Sequence, residues 1–138
     1  IYITDMGHHM IRKMNEETGI ITTVAGTGAQ GYSGDGGLAI YATMKQPESV
    51  AVSESGEVYI VDRLNNCIRK VDVNGIITTF AGTGIDGYNG EDGDATKIQL
   101  KDPHGVAVMQ NGDVLITDSG NNLIRKVNLT GHISTFCR

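Results

Sequence analysis

The sequence is poor in the residues that mark several common protein classes. It has two prolines and no tryptophan in 138 residues, and even with 19 glycines its Pro+Gly content stays below the roughly 25–30% typical of disordered chains. No apolar run approaches the roughly 18 residues of a membrane-spanning helix, so we expect no membrane insertion. Lys+Arg number 11 against 16 Asp+Glu, a net charge of −5, which disfavours binding nucleic acid through bulk phosphate attraction.

Glycine and β-branched residues are what the sequence has in abundance. Their combination predicts a turn-rich all-β protein. The first residues, Ile1-Tyr2-Ile3-Thr4, already have the character of a strand, and no leader segment is recognisable. We therefore expect this chain to be a piece of a longer protein.

A repeat with a period of 56 or 57 residues organises the whole chain. Ile11-Arg12-Lys13 returns at 68–70 and again at 124–126. The longer motif Gly-Ile-Ile-Thr-Thr, followed by Ala-Gly-Thr-Gly, occurs at 19–28 and 75–84, with a degraded third copy at 131–137. Self-similarity at such a period is typical of solenoids and propellers.

Each complete period contains four short runs rich in β-branched residues and separated by turn residues. Four antiparallel strands joined by tight turns form one propeller blade. The sequence therefore predicts an all-β fold, a β-propeller fragment of just under three four-stranded antiparallel blades. The blades are predicted at 1–25 (lacking its first strand), 48–81 and 104–137, with long inter-blade loops at 26–47 and 82–103. Closing the ring would take the remaining propeller blades or other copies of the chain as partners.

The repeat resembles the NHL family. The resemblance rests on a strand ending in Asp, then Asn or His three residues later, then Ile-Arg-Lys, and on the Gly-Tyr-x-Gly-Asp-Gly insertion at 31–36. The insertion is similar to that of the long-repeat NHL proteins, which include secreted and cell-surface ones such as the teneurins. This resemblance implies a β-propeller used mainly as an interaction platform, although some relatives are lyases and others bind RNA.

Two repeated features point to structural roles. We interpret the Asp residues that end the second strand of each blade, and the Asn residues that follow them, as turn-stabilising; they are Asp5, Asp62, Asp118, Asn65 and Asn121. In each Arg-Lys pair of the third strand, neighbouring side chains point to opposite faces. One is therefore expected to meet an Asp and the other to face water.

Two sets of residues are candidates for metal binding. Glu48 and His104 follow the prolines that precede the innermost strands, so we expect them near the mouth of the central channel. The resemblance implies that histidines at such places hold a catalytic metal in the lyase relatives. A zinc site at these two residues is therefore one hypothesis. A calcium site is the other, in the acidic glycine-rich loops, at Asp35, Asp92 and Asp94. The alternative to both is no cofactor.

Two cysteines and one glycosylation sequon bear on the cellular location of the protein. Cys67 and Cys137 are expected to be free thiols, unless Cys137 pairs outside this chain. Asn128-Leu129-Thr130 is an N-glycosylation sequon on an expected hairpin turn. With the teneurin resemblance, it favours an extracellular or cell-surface glycoprotein.

These observations favour a non-catalytic scaffold that presents its inter-blade loops to a protein or a glycan. Two alternatives remain open. One is a metal-dependent lyase or hydrolase with its site at the channel mouth. The other is an RNA-binding propeller, which the net charge of −5 makes the weaker hypothesis.

Overall fold

The computed structural model describes residues 1–138 and is built almost entirely of β-strands. The strands are β1 (Tyr2–Asp5), β2 (Met10–Met14), β3 (Ile21–Ala25), β4 (Pro47–Val52), β5 (Val58–Asp62), β6 (Cys67–Val71), β7 (Ile77–Ala81), β8 (Gly93–Asp94), β9 (Pro103–Val108), β10 (Val114–Asp118), β11 (Leu123–Val127) and β12 (His132–Cys137). The helical segments are short 3₁₀ turns at Met6–His8, Ala39–Tyr41, Arg63–Asn65, Ala95–Lys97 and Ser119–Asn121. No helix is both long enough and apolar enough to cross a membrane.

The strands form three antiparallel sheets that repeat along the chain. Strands β1–β3 form blade 1, β4–β7 form blade 2, and β9–β12 form blade 3, to which β8 adds a short strand beside β12. The first strands of blades 2 and 3 begin at Pro47 and Pro103, slightly earlier than expected. These prolines already pair with Asp62 and Asp118, ahead of a bulge. The predicted all-β propeller with four-stranded antiparallel blades is confirmed.

The hydrophobic core lies in the two seams between adjacent blades. Strand β5 serves both seams, because alternate residues of a strand point to opposite faces: Val58 and Ile60 pack towards blade 1, and Tyr59 and Val61 towards blade 3. The connecting loops supply the rest of each cluster, with Ala39, Ala42 and Met44 in one seam and Ala95, Ile98 and Leu100 in the other. One side of each loop is therefore part of the core.

The first inter-blade loop (26–46) and the second inter-blade loop (82–102) follow the same course. Each leaves the outer strand of one blade, passes along the outer strand of the next, and reaches that blade's innermost strand. In the first loop, Gly36 and Gly37 exchange backbone hydrogen bonds with Ile77 of β7, at 2.8 and 3.0 Å. In the second loop, β8 pairs with β12. The loops therefore lie on the blade surface as fixed elements.

Each loop starts at a position that only glycine fits. Gly26 and Gly82 have φ values of 96° and 93°. A Cβ atom there would lie 2.4 Å from the backbone oxygen of His9 and 2.6 Å from that of Asn66. Positive φ and a close backbone contact both exclude larger residues, which explains why the first glycine of Ala-Gly-Thr-Gly recurs.

Candidate functional site

A buried ionic cluster joins β5, β6 and the turn between them in blade 2. The Asp62 carboxylate accepts hydrogen bonds from the backbone N–H of Lys45 (2.7 Å), the side-chain amide of Asn65 (2.9 Å) and the guanidinium of Arg69 (3.2 Å). The side chains of Asp62 and Arg69 are completely buried. Burial raises the pKa of Asp62, and these three donors oppose that rise. A buried ion pair is tolerated only when hydrogen bonds complete it. The Asp62 carboxylate has three donors, whereas Nε of Arg69 is buried without a partner.

Arg69 carries this cluster into the first inter-blade loop. Its guanidinium donates to the backbone oxygens of Ser33 (3.0 Å) and Thr43 (3.2 Å) and to the Asp35 carboxylate (2.8 Å). The ring of Tyr32 lies 4.9 Å from the guanidinium carbon, a cation–π contact. One buried side chain thus attaches both halves of the loop to the blade.

Blade 3 repeats the cluster with a different outer partner. Asp118 accepts from Lys101 N–H (2.7 Å), Asn121 (2.9 Å) and Arg125 (3.3 Å). Arg125 donates to the backbone oxygens of Gly90 and Glu91 in the second loop, at 3.0 and 3.1 Å. The Glu91 carboxylate instead accepts from Tyr88 and Arg138. Backbone carbonyls here do part of what Asp35 does in the first loop.

Blade 1 has the same residues in a more open arrangement. Asp5 lies 2.8 Å from Nδ1 of His8, and its nearest approach to Arg12 is 4.0 Å. The Arg12 side chain is 32% exposed, whereas those of Arg69 and Arg125 are completely buried. The predicted turn residues of blades 2 and 3 thus lie in closed clusters that contact a loop, and Asp5 does not.

A second ionic cluster lies where the innermost strands β4 and β9 are adjacent. His104 Nδ1 is 3.0 Å from Glu48, and His104 Nε2 is 3.1 Å from Asp102. Arg63, in the turn after β5, donates to Asp102 at 2.7 Å and lies 3.3 Å from Glu48. The cluster therefore alternates two carboxylates with two basic groups and bridges blades 2 and 3.

Glu48, Arg63, Asp102 and His104 are called the channel-mouth cluster here after their predicted position, and their opposite charges shift one another's pKa values. Hydrogen bonds to Asp102 and Glu48 raise the pKa of His104, and the hydrogen bond from Arg63 lowers the pKa of Asp102. Both imidazole nitrogens face carboxylates, an arrangement that suits the protonated ring. The structure brings the proposed zinc ligands His104 and Glu48 together, and it contains no group of three or more His, Cys, Asp or Glu side chains arranged for a metal ion.

The three acidic residues considered for calcium do not share one site. Asp35 belongs to the first loop, where its carboxylate oxygens accept from Arg69 and from Thr79 at 2.8 and 2.6 Å. Asp94, in the second loop, accepts from the N–H and hydroxyl of Thr96. Asp92 is exposed and lies 3.7 Å from His132. The calcium site stays a prediction, with Asp92 and Asp94 as its neighbouring candidates.

The cysteines and the sequon occupy different environments. Both thiols are free, with Cys67 buried and Cys137 exposed. Burial raises the pKa of the Cys67 thiol, so it remains protonated and unreactive. The Asn128 side-chain oxygen accepts from the N–H of Thr130 and of His132 in the exposed turn before β12. Glycosylation at Asn128 remains a prediction.

Sequence reasoning missed Arg63 and Asp102. Both differ from their counterparts in the other repeats: Arg63 corresponds to Met6 and Ser119, and Asp102 corresponds to Gln46. A departure from the repeat at two positions beside predicted channel residues was the available signal. Only the placement of blade 2 against blade 3 shows that these two side chains are in contact.

The first inter-blade loop also presents an apolar outer surface. Leu38, Ile40 and Tyr41 are 46%, 42% and 72% exposed. Leu38 precedes the 3₁₀ turn Ala39–Tyr41, in which Ala39 is buried. In the second loop the equivalent positions hold Asp94, Thr96 and Lys97. Three exposed apolar residues within four positions of one loop make this a candidate contact surface for a partner.

Solved structures of similar fold are much longer than this chain. A structural genomics protein of unknown function from Bacteroides thetaiotaomicron superposes with a TM-score of 0.79 at 26% identity, covering 97% of this chain and 32% of that one. An auxiliary nutrient binding protein from the same organism gives 0.71 at 27% identity, covering 97% and 34%. Virginiamycin B lyase from Staphylococcus aureus gives 0.62 at 20% identity, covering 99% and 37%, and shows the fold alone.

Similar sequences come from plants and animals. The Arabidopsis thaliana "Protein SUPPRESSOR OF QUENCHING 1, chloroplastic" is 33% identical over 136 residues, covering 93% of this chain and 13% of that protein. Mouse teneurin-3 is 37% identical over 95 residues, covering 60% of this chain and 3% of that protein. The chain thus spans a small part of these relatives.

Two family matches together cover most of the chain. The NHL repeat matches residues 100–127, which contain the cluster residues Asp118, Asn121 and Arg125 of blade 3. The teneurin NHL domain matches residues 1–89, more than half of the chain, including the first loop and the Arg69 cluster. The chain therefore belongs to the NHL-repeat β-propeller family, in its teneurin-like group.

Proposed function

We propose that this propeller segment is a non-catalytic binding platform whose inter-blade loops contact a protein or a glycan outside the cell. The location rests on the teneurin relatives and the Asn128 sequon. One similar structure is that of an auxiliary nutrient binding protein, a binding role rather than a catalytic one.

The observation that carries the proposal is the combination of fixed loops and exposed apolar residues. Arg69 and the seam residues hold the first loop in one conformation. A surface ordered before binding loses little conformational entropy when a partner docks. Tyr41, at 72% exposure, is also of a residue type enriched in binding hot spots.

A binding array tests this function. The 138-residue chain would be applied to an array of extracellular protein domains and to a glycan array, and hits would be measured by surface plasmon resonance. We expect Tyr41→Ser to weaken the binding of a protein partner at least about tenfold, the size of a modest hot spot. Lys97→Ser, at the same repeat position in the second loop, is the matched control and is expected to leave the affinity for that protein unchanged. Absence of reproducible hits on either array, or protein hits that Tyr41→Ser does not weaken, would contradict the proposal.

A metal-dependent lyase or hydrolase is the second candidate, favoured by the contact between His104 and Glu48 at the channel mouth. Zinc would need a neutral imidazole and at least one further converging ligand. Metal analysis of the purified chain decides the question. Stoichiometric zinc that is lost in His104→Ala would favour the enzyme over the platform, and a metal content equal in the two proteins would remove it.

A further inference from the structure

A polar cleft of about 490 Å³ lies on the outer side of the seam between blades 2 and 3. Lys70, Thr78 and Phe80 line its blade 2 wall, and Thr96, Thr130 and His132 line the opposite wall. It continues into a second cleft of about 390 Å³, which shares Lys70, Phe80 and Thr130. Ligand pockets commonly enclose roughly 300–1,000 Å³, so this seam cleft is large enough for a small ligand.

The walls of the seam cleft are rich in hydroxyl groups. Thr78, Thr96 and Thr130 are all exposed. The Thr96 hydroxyl donates to Asp94, and the Thr130 hydroxyl donates to Asn128, so both oxygens keep free lone pairs. Thr78 makes no side-chain hydrogen bond within the chain. The cleft can therefore both donate to and accept from a ligand.

The seam cleft has no unpaired lysine or arginine. Lys70 is paired with Glu57, and Asp94 adds a further carboxylate to the lining of the cleft. A phosphate or another strong anion would thus find no free cation from an unpaired lysine or arginine. Phe80, which is partly buried against Tyr59 at a ring distance of 4.9 Å, offers an apolar surface among the polar groups. Hydroxyls with one aromatic surface, one free carboxylate acceptor and no unpaired lysine or arginine match a neutral polyhydroxylated ligand.

The corresponding seam between blades 1 and 2 lacks this chemistry. The equivalents of Asp94 and Thr96 are Leu38 and Ile40, and that of His132 is Ile76. Leu38 pairs through its backbone with Ile76. The polar cleft is therefore a property of one seam's side chains and not a general consequence of the repeat.

We propose that the seam cleft between blades 2 and 3 is a binding site for a neutral saccharide. The inference rests on the proposed function, since it gives that platform a ligand class and a place. The predicted glycosylation site Asn128 lies at the rim of the second cleft. A glycan attached there would begin beside the saccharide site, so the test uses bacterially produced chain, which carries no N-glycan.

The experiment is amide NMR of the isotope-labelled chain. Methyl α-mannoside, methyl β-galactoside, maltose and N,N′-diacetylchitobiose would each be added at millimolar concentration, with sialyllactose and inorganic phosphate as anionic probes. At least one neutral sugar is expected to shift amides of Thr78, Phe80, Thr96 and Thr130, with an affinity in the millimolar range. Phosphate is expected to shift none of them.

Thr96→Ile tests the site with a side chain that the repeat already accepts at residue 40. It removes a hydroxyl and fills the cleft, so affinity is expected to fall at least about tenfold. The reciprocal control Ile40→Thr changes the other seam and is expected to leave affinity unchanged. Thr78→Val, which removes a hydroxyl at nearly constant shape, is the second variant and is expected to weaken binding severalfold.

Each of the following outcomes would overturn the proposal that the seam cleft binds a saccharide. Phosphate shifts at the same amides would show a simple anion site. Sugar shifts confined to Tyr41 and its neighbours would overturn the saccharide site in the cleft and would leave the proposed binding platform standing. No shifts with any sugar would also overturn the cleft, while the platform would still be decided by its own array measurement.

Discussion

The two inter-blade loops have the same buried surface and different exposed surfaces. At the buried positions both carry apolar residues, in the pairs Ala39 and Ala95, Ala42 and Ile98, and Met44 and Leu100. At the exposed positions the chemistry differs, in the pairs Leu38 and Asp94, Ile40 and Thr96, and Tyr41 and Lys97. Seam packing constrains one side of each loop, so the side that faces water is free to acquire a specific partner.

The arginine clusters show how much variation the buried part tolerates. Arg69 uses the Asp35 carboxylate of its loop, whereas Arg125 uses backbone oxygens of the second loop. In both cases the terminal guanidinium nitrogens donate to partners from the blade and from the loop, while Nε is buried without a partner. The terminal nitrogens therefore need acceptors on both sides, and the identity of the outer acceptor is secondary.

The largest effect is expected from removing a buried arginine. Arg69→Met would leave the fully buried Asp62 carboxylate without its cation, which typically costs about 3–5 kcal/mol. The matched change Arg12→Met, at the partly exposed copy in blade 1, is expected to cost about 0–1 kcal/mol. Guanidinium chloride unfolding measures both. Equal losses from the two variants would show that the closed and open clusters contribute alike.

The effect of substituting a loop residue on stability is expected to depend on how exposed its side chain is. Leu100→Ala removes a completely buried side chain and is expected to lower the free energy of unfolding by about 2–5 kcal/mol. Tyr41→Ala, on the exposed surface of the first loop, is expected to change it by less than about 0.5 kcal/mol. Thermal unfolding followed by circular dichroism compares them, and a large loss from Tyr41→Ala would mean that this side chain stabilises the fold.

The smallest effect concerns the channel mouth, where one repeat carries Glu48 and the next His104. Because the folded-state pKa of His104 is raised, its contribution to stability is fully present below its ordinary value of 6.5 and is lost as the pH rises through the folded pKa. Arg63, Glu48 and Asp102 are the charged groups facing it. Its partly exposed position screens the interaction, so the change in stability is expected to be small.

The variant Asp102→Asn tests what raises the pKa of His104. It removes the main cause of the raised pKa, so an NMR titration of the His104 ring should show a lower midpoint in the variant than in the parent chain. An unchanged midpoint would mean that Glu48 alone sets the pKa of His104.

Much of the fold was predictable because the repeat appears in the sequence itself. Blade 2, predicted at 48–81, has strands from Pro47 to Ala81, since β-branched residues and turn glycines mark the strands directly. The pairing of Asp62 with Asn65 was equally local. By contrast, the contacts of Arg69 with the first loop join residues 26 to 36 positions apart, and no local pattern encodes which acceptor a buried guanidinium meets.

From the residues alone follow the strand order, the period and the positions of both loops, because these depend on patterns within one repeat. Tertiary structure alone decided that Arg63 and Asp102 complete the channel-mouth cluster, and that Thr78 of blade 2 faces Thr96 of the second loop across a cleft. Such contacts depend on how one blade is rotated against the next. That rotation is set by packing across the whole seam, where dozens of weak contacts act together.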